Sequence, residues 1–486
     1  MSTDVDSTIA SLEAQIMELE TKVAQLLPTV RQLEICQESL RQAYTALAHV
    51  RNQATPVSRL PDDVLALIFE AGPGPDLQLR DYFDKPEELP FPILVSHVSH
   101  TWREVAIRDP FLWTSIYIIS SKSHDLDLMY MNRSKSCSLD IRYTCDIEEM
   151  LDFDPSILQL QRCRHLIISC HWYRSAFHIC QRLGRENVPR LVSFKIEMEY
   201  GNDGYEYDFP PGNHELFGGG ATVLSSVEIC GISLRSFKLP ISALTNLTLN
   251  MSALASEMTF VNFFDAFADM AHTLITLQLE GIILRVEPGE HCFHIMINFP
   301  SLTALVINYP DYLSEGQDDG DYISYLWDCI NVPALESLTL YWMDGEQFHT
   351  IMDSLHRQHV ASTANGGLKS LSLCDIDVDD YADDLTLTCP NLSHLTLTGD
   401  ATAPVLKFIL ESDQQKSVAT SNNNTDTGLL WPNLHALSVA SPDDEILRAL
   451  VLGRKALGLP LVKLRIRRRS GSIDWYRQHV QTVGSF

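Results

Sequence analysis

Residues 333–340 read PALESLTL and residues 390–397 read PNLSHLTL. Each is an L-x-x-L-x-L unit with a proline two positions ahead of its first leucine. The last two leucines alternate with polar residues, which puts them on one face of an extended strand. The proline, with its φ fixed and no N–H to donate, sets an extended lead into that strand. The unit recurs ten times, starting at Leu191, Leu224, Leu244, Leu274, Leu302, Leu335, Leu368, Leu392, Leu434 and Leu461, with Phe, Val or Ile replacing some leucines. Pro189, Pro300 and Pro432 repeat the leading proline. Between units, Met258–Leu274, Gly345–His356 and Asp444–Leu457 carry apolar residues at helical spacing. A strand followed by a helix, repeated, buries its apolar faces only by stacking neighbours into a parallel sheet under an outer helical layer. The fold class expected is therefore α/β.

This pattern resembles the leucine-rich-repeat solenoid, over residues 186–470. The family's fullest consensus places Asn or Cys three residues after the last strand leucine. Here those positions include Ser252, Ile282, Pro310, Met343, Ile376 and Asp400, so the side-chain ladder is missing and irregular repeats are expected. Loops are predicted at 201–220 and 412–428, the second a low-complexity, disordered stretch (SDQQKSVATSNNNTDTG). Acidic clusters at 312–322 and 375–384 lack the spacing of a calcium loop and read as solvated surface. Upstream, SIYIIS, a helix at Asp125–Arg133, SLDIRYT and HLIIS predict the first layers of the repeat body, its entry or cap, over 118–185; 471–486 is expected to be a tail. The closing KLRIRRR reads as an anionic-ligand or nuclear-import patch, or as the exposed face of a last strand.

Ahead of the repeats lies a second kind of sequence. From Ser58 it runs SRLPDDVLALIFEAG, and it ends PFPILVSHVSHTWREVAIRDPFLW at Trp113. Pro61 suits a first helical position, and Asp62 and Asp63 suit the positive end of the helix dipole. Val64, Leu65, Ile68 and Phe69 form one broad apolar face, and Gly72 with Pro73 end the run. A second helix follows Pro92 and stops at Asp109 and Pro110.

This ordered pattern resembles the F-box, with a polar insertion at 73–90 of the kind large fungal F-box families carry; the module spans 56–117. The resemblance implies docking on the Skp adaptor of cullin-RING ubiquitin ligases. The adaptor surface it implies is Leu60, Pro61, Val64, Leu65, Ile68, Phe69, Val98, Trp102, Leu112 and Trp113. Trp102, taken as a packed anchor, would cost about 3–5 kcal/mol on truncation to Ala. Through the adaptor the chain would reach a cullin, while the solenoid would hold an unknown target protein. The chain itself would not be an enzyme.

Residues 5–54 carry heptads. Ile9, Ile16, Val23 and Val30 fall at a, Leu12, Leu19, Leu26 and Leu33 at d, with Leu40 and Leu47 continuing d and Gln37 and Tyr44 continuing a. β-branched a positions with Leu at d favour a parallel two-stranded coil, hence a homodimer; the other reading is one amphipathic helix lying on the protein's own body. Pro28 is predicted to kink or split the helix.

Composition narrows the functional classes. A formal net charge of −27 over 486 residues opposes nucleic-acid binding. No secretory signal and no apolar run of about 18 residues is visible, so an intracellular chain, cytoplasmic or nuclear, with no membrane partner is expected. The eleven cysteines, with no CxxC, then read as reduced. The Cys163, His165, Cys170, His171, His178 and Cys180 group surrounds an apolar strand, which argues against a metal site. No catalytic or cofactor motif is found, so no cofactor is expected.

Overall fold

The computed structural model describes residues 2–72, 89–147, 153–198, 215–232, 234, 237–240, 243–251, 258–281, 284–285, 296–309, 321–361, 367–378, 381–382, 384–420, 430–467 and 473–485. The insertion expected at 73–90 lies outside them except for its last two residues, as do 201–214 and 312–320. Two compact units emerge, residues 1–114 with 129–137, and residues 115–128 with 138–486.

The first unit opens with helix α1, Ser2–Gln53, followed among the described residues by the short helices α2 (Asp62–Glu70), α3 (Phe91–Ser96) and α4 (His100–Arg108), so that the single helix expected after Pro92 is two, parted where Ser99 caps α4. α1 runs through Pro28 without a break, contrary to the expected kink. The seam leucines and valines on either side of it are all exposed. The pyrrolidine ring, on the f side of the heptad, meets no packed neighbour. Ala24, whose carbonyl loses its donor and crowds the ring, is exposed, so that carbonyl can turn to water while the helix continues.

The second unit is built on one parallel sheet of 14 strands whose order in space is their order in sequence. The strands are β1 (Ser115–Ile119), β2 (Leu139–Cys145), β3 (Cys163–Cys170), β4 (Ser193–Met198) and β5 (Ser226–Cys230). Next come β6 (Asn246–Met251), β7 (Thr276–Gly281), β8 (Ala304–Asn308), β9 (Ser337–Tyr341) and β10 (Ser370–Cys374). β11 (His394–Thr398), β12 (Ala436–Ala440), β13 (Lys463–Arg467) and β14 (Thr482–Gly484) complete it.

Each of the ten L-x-x-L-x-L units supplies one strand, β4 to β13. The last two apolar positions point inward in register: Leu338 sits beside Leu305 and Leu371, and Leu395 beside Leu371 and Leu437. Burying such a leucine contributes about 1.5–3 kcal/mol, and the first leucine of each unit, as at Leu335, is buried as well.

The solenoid is longer than the repeat count implied. Residues 118–185 are, as expected of an entry, layers of the same sheet, whereas the expected tail at 471–486 supplies its last strand, because Thr482 to Gly484 pair with Lys463 to Arg465. Helices are less regular than strands. Gly345–Ala361 and Asp444–Ala456 form as expected, whereas within Met258–Leu274 the helix covers only Phe260–Phe267, capped by Thr259 Oγ1 accepting from Asn262 N–H. Nor is 412–420 disordered: a helix, Thr402–Thr420, runs through it, held there by a buried ion pair between Asp413 and Arg454. Residues 421–428 lie outside the described residues.

Successive repeats are also tied by their main chain, at the entry to each strand. Two consecutive N–H groups entering a strand donate to one carbonyl of the preceding repeat. Lys369 and Ser370 donate to Glu336 O (2.8 and 2.9 Å), and Ser393 and His394 to Lys369 O (2.8 and 3.0 Å). Val462 and Lys463 donate to His435 O in the same way (2.8 and 3.0 Å). The arrangement runs from Val192 O through to His435 O, and since backbone supplies both partners, side-chain identity there is free to vary.

Candidate functional site: the outer stripe of the helical module and the sheet face

The short helices of the first unit start where the chain dictates. Asp62 and Asp63 occupy the first turn of α2, and Ser99 caps α4 by accepting from Trp102 N–H at 3.2 Å. Their inner sides share one core, formed by Leu65, Phe69, Val95, Val105, Ala106, Leu112 and Trp113. Trp113 is its centre. Its Nε1–H donates to Ala106 O at 2.7 Å, Tyr130 meets its ring edge-on with centroids 4.9 Å apart, and the Arg133 guanidinium lies 4.3 Å above it. Asp109 shapes the turn leading to Trp113 by accepting from Phe111 N–H at 3.0 Å, and burial raises the pKa of its carboxyl.

The residues expected to form one adaptor-docking surface divide in two. Leu65, Phe69, Leu112 and Trp113 are buried and face no partner. Pro61, Val64, Ile68 and Val98 are exposed, while Leu60 and Trp102 are half-buried. Trp102 is thus not the packed anchor; its ring leans on Phe69 with centroids 5.0 Å apart, and the anchor role belongs to Trp113. The reason is angular. At 100° per residue, Leu65 and Phe69 share one stripe and Val64 and Ile68 the next, and a core this small covers only one of them.

Leu67, 63% exposed, joins Val64 and Ile68 on the outer stripe at i, i+3 and i+4. Leu67, Leu94 and Phe111, all exposed, were missed by sequence reasoning. Their signal was present, as apolar residues off a core stripe that was already complete. Val64, Leu67 and Ile68 thus leave one apolar stripe of α2 open to solvent.

The heptad residues of α1 are not packed on the body of the protein. Ile9, Leu12, Ile16, Leu19, Val23, Leu26, Val30 and Leu33 are 48–61% exposed. Among the described residues no helix is long and apolar enough to cross a membrane.

The solvent face of the sheet carries a charge pattern that the repeats did not announce. On β2, β4 and β5, Arg142 meets Glu197 at 3.1 Å, and Lys195 meets Glu197 and Glu228, each at 2.8 Å. Burial opposes ionisation of Lys195, yet the two carboxylates beside it hold its pKa above the ordinary value. Burial likewise opposes the charge on Glu197, and bonds from Lys195 and Ser169 keep its carboxyl below the usual range. At the other end, Lys463, Arg465 and Arg467 stand exposed on β13. Burial, then His435 and Lys463 nearby, push the pKa of His394 down.

The Cys/His group does not converge. Cys163, Cys170 and Cys180 are buried, and burial pushes the Cys180 thiol up to about 12, away from the thiolate a metal needs. Among the described residues no group of three or more His, Cys, Asp or Glu is placed to hold a metal ion. Compared with models of known protein families the chain matches none, and a comparison with curated proteins likewise finds no match.

Proposed function

We propose that this chain is the target-recruiting subunit of an SCF-type cullin-RING ubiquitin ligase. In this reading the helical module is an F-box that docks on the Skp adaptor, and the irregular leucine-rich-repeat solenoid holds the protein to be modified. One observation carries the reading. The outer stripe Val64, Leu67 and Ile68 stays exposed beside a complete inner core, in the segment whose Leu60-Pro61 opening and Trp102-Arg103 pair resemble that module. The mechanism is positioning. Holding a target on one unit and the adaptor on the other raises the target's local concentration near a ubiquitin-charged enzyme supplied by partner subunits.

The test is capture of a purified Skp–cullin pair by full-length protein. Leu67→Glu with Ile68→Glu places charge only on exposed positions, so circular dichroism stays unchanged while capture falls about tenfold or more. Undiminished capture by the folded double variant would remove α2 from the docking surface. No capture by the intact chain would remove the ligase reading.

A second reading is favoured by the bare heptad seam of α1: a scaffold that dimerises through its N-terminal coil and organises partners without ubiquitin transfer. Six successive Leu d positions, and Gln37 able to pair with its own copy at a, favour a parallel, in-register coil. Sedimentation equilibrium is expected to give a dimer at micromolar concentration and a monomer for Leu19→Lys with Leu26→Lys. A monomeric wild-type chain at tens of micromolar would exclude the coil. Recovery of cullin with the adaptor would decide between the two readings.

A further inference from the structure

The outward face of the sheet sorts its charge along the solenoid. At the β2–β5 end, cations and carboxylates are paired, as described for Arg142, Lys195, Glu197 and Glu228. From β8 to β14 no outward strand position carries a carboxylate. On β13, Lys463, Arg465 and Arg467 occupy three alternate positions, about 6.8 Å apart along the strand, and none has an ion-pair partner among the described residues.

Their neighbours are short. Lys463, Arg465 and Arg467 lie directly opposite Ala436, Ser438 and Ala440 on β12, and Lys463 and Arg465 opposite Thr482 and Gly484 on β14. The three cations therefore stand clear of the surface on both sides. Three like charges on one strand repel one another, and among the described residues no outward carboxylate on β8 to β14 relieves that repulsion. An anion would.

We infer that the row Lys463–Arg465–Arg467 docks an extended acidic polypeptide segment, with carboxylates at alternate positions meeting the three cations in turn. The period decides the class of ligand. An extended chain repeats its side chains on one face at the strand's own two-residue spacing, so acids at i, i+2 and i+4 match the row without bending. The net negative charge of the whole chain works against nucleic acid and anionic membrane, whose long-range fields it opposes, far more than against a short acidic segment. The surface depends on the ligase reading only for calling that segment part of a target.

The measurement is fluorescence anisotropy of a labelled peptide of alternating Glu and Ala with full-length protein. Binding is expected to weaken steeply as salt rises from about 50 to about 200 mM, and a peptide of alternating Gln and Ala is expected not to bind. Arg465→Glu with Arg467→Glu, both exposed, is expected to weaken binding about tenfold or more while circular dichroism and capture of the Skp–cullin pair are unchanged. Equal binding by that variant overturns the proposal. So does tighter binding by the wild-type chain of single-stranded RNA, or of phosphatidylserine vesicles, than of the peptide. Loss of adaptor capture by the wild-type chain with peptide binding intact would end the ligase reading and leave this surface standing.

Discussion

Asp413→Ala lowers the stability of the C-terminal repeats by about 3–5 kcal/mol, because it strands a buried guanidinium. Arg454 is fully buried. Its Nε donates to Asp413 Oδ2 at 3.0 Å, and its two terminal nitrogens donate to Trp431 O at 3.1 Å and Leu430 O at 2.7 Å. Burial presses the Arg454 pKa down and the Asp413 carboxylate holds it up. Removing the carboxylate leaves the two carbonyls and a charge without a counterion in a dry site. A solenoid loses stability through its nearest neighbours, so the loss should be local. In hydrogen exchange, the helix Asp444–Ala456 and strands β12 to β14 should open first, while β4 to β8 keep their protection. Arg454→Met with Asp413→Leu, which removes both charges and keeps volume, should recover most of the loss. Exchange unchanged in Asp413→Ala would mean that the pair holds nothing.

Trp113→Ala collapses the helical module. It removes the largest side chain of that core, and the expected cost is about 3–5 kcal/mol, to which the unmet carbonyl of Ala106 adds. A module this small has little stability in reserve. The far-ultraviolet signal of the short helices and any capture of the adaptor should therefore vanish together, whereas Leu67→Glu with Ile68→Glu should lose capture alone. Trp102→Ala should cost clearly less, since its ring is half-buried and touches Phe69 from the outside. Chemical denaturation of the three variants separates these outcomes. Equal costs for Trp102 and Trp113 would contradict the division of the module into an inner core and an outer stripe.

The difference between those two tryptophans shows where sequence reasoning reached its limit. Both sit in amphipathic turns of the same short segment, and local pattern assigns each to an apolar face. Trp113 is selected as the anchor by a donor bond to Ala106 and by Tyr130 and Arg133, residues that arrive from a helix beyond the first strand of the sheet. The same holds for Val64 and Leu65, adjacent in sequence and opposite in fate. Hydrophobicity states that a face should be covered; only the packed neighbours say which face.

Asp413 carries the lesson further. Its surroundings, SDQQKSVATSNNNTDTG, have the composition of a disordered loop, yet a single buried arginine 41 positions later recruits the start of that segment into a helix. No window of local sequence contains that pairing. Likewise β1, β2, β3 and β14 lack the full leucine unit and take their place in the sheet through pairing with strands already formed.

By itself the sequence determined most of what depends on short-range periodicity. That covers ten strands of one parallel sheet, the register set by leucines two residues apart, the long heptad helix and the amphipathic turns of the module. These follow from backbone geometry and side-chain alternation over a few residues. Tertiary structure decided which apolar stripe turned inward, where the sheet began and ended, how backbone carbonyls tied successive repeats at strand entry, and which cations were left unpaired. Burial and charge neutralisation depend on residues distant in the chain, and only the folded arrangement brings those together.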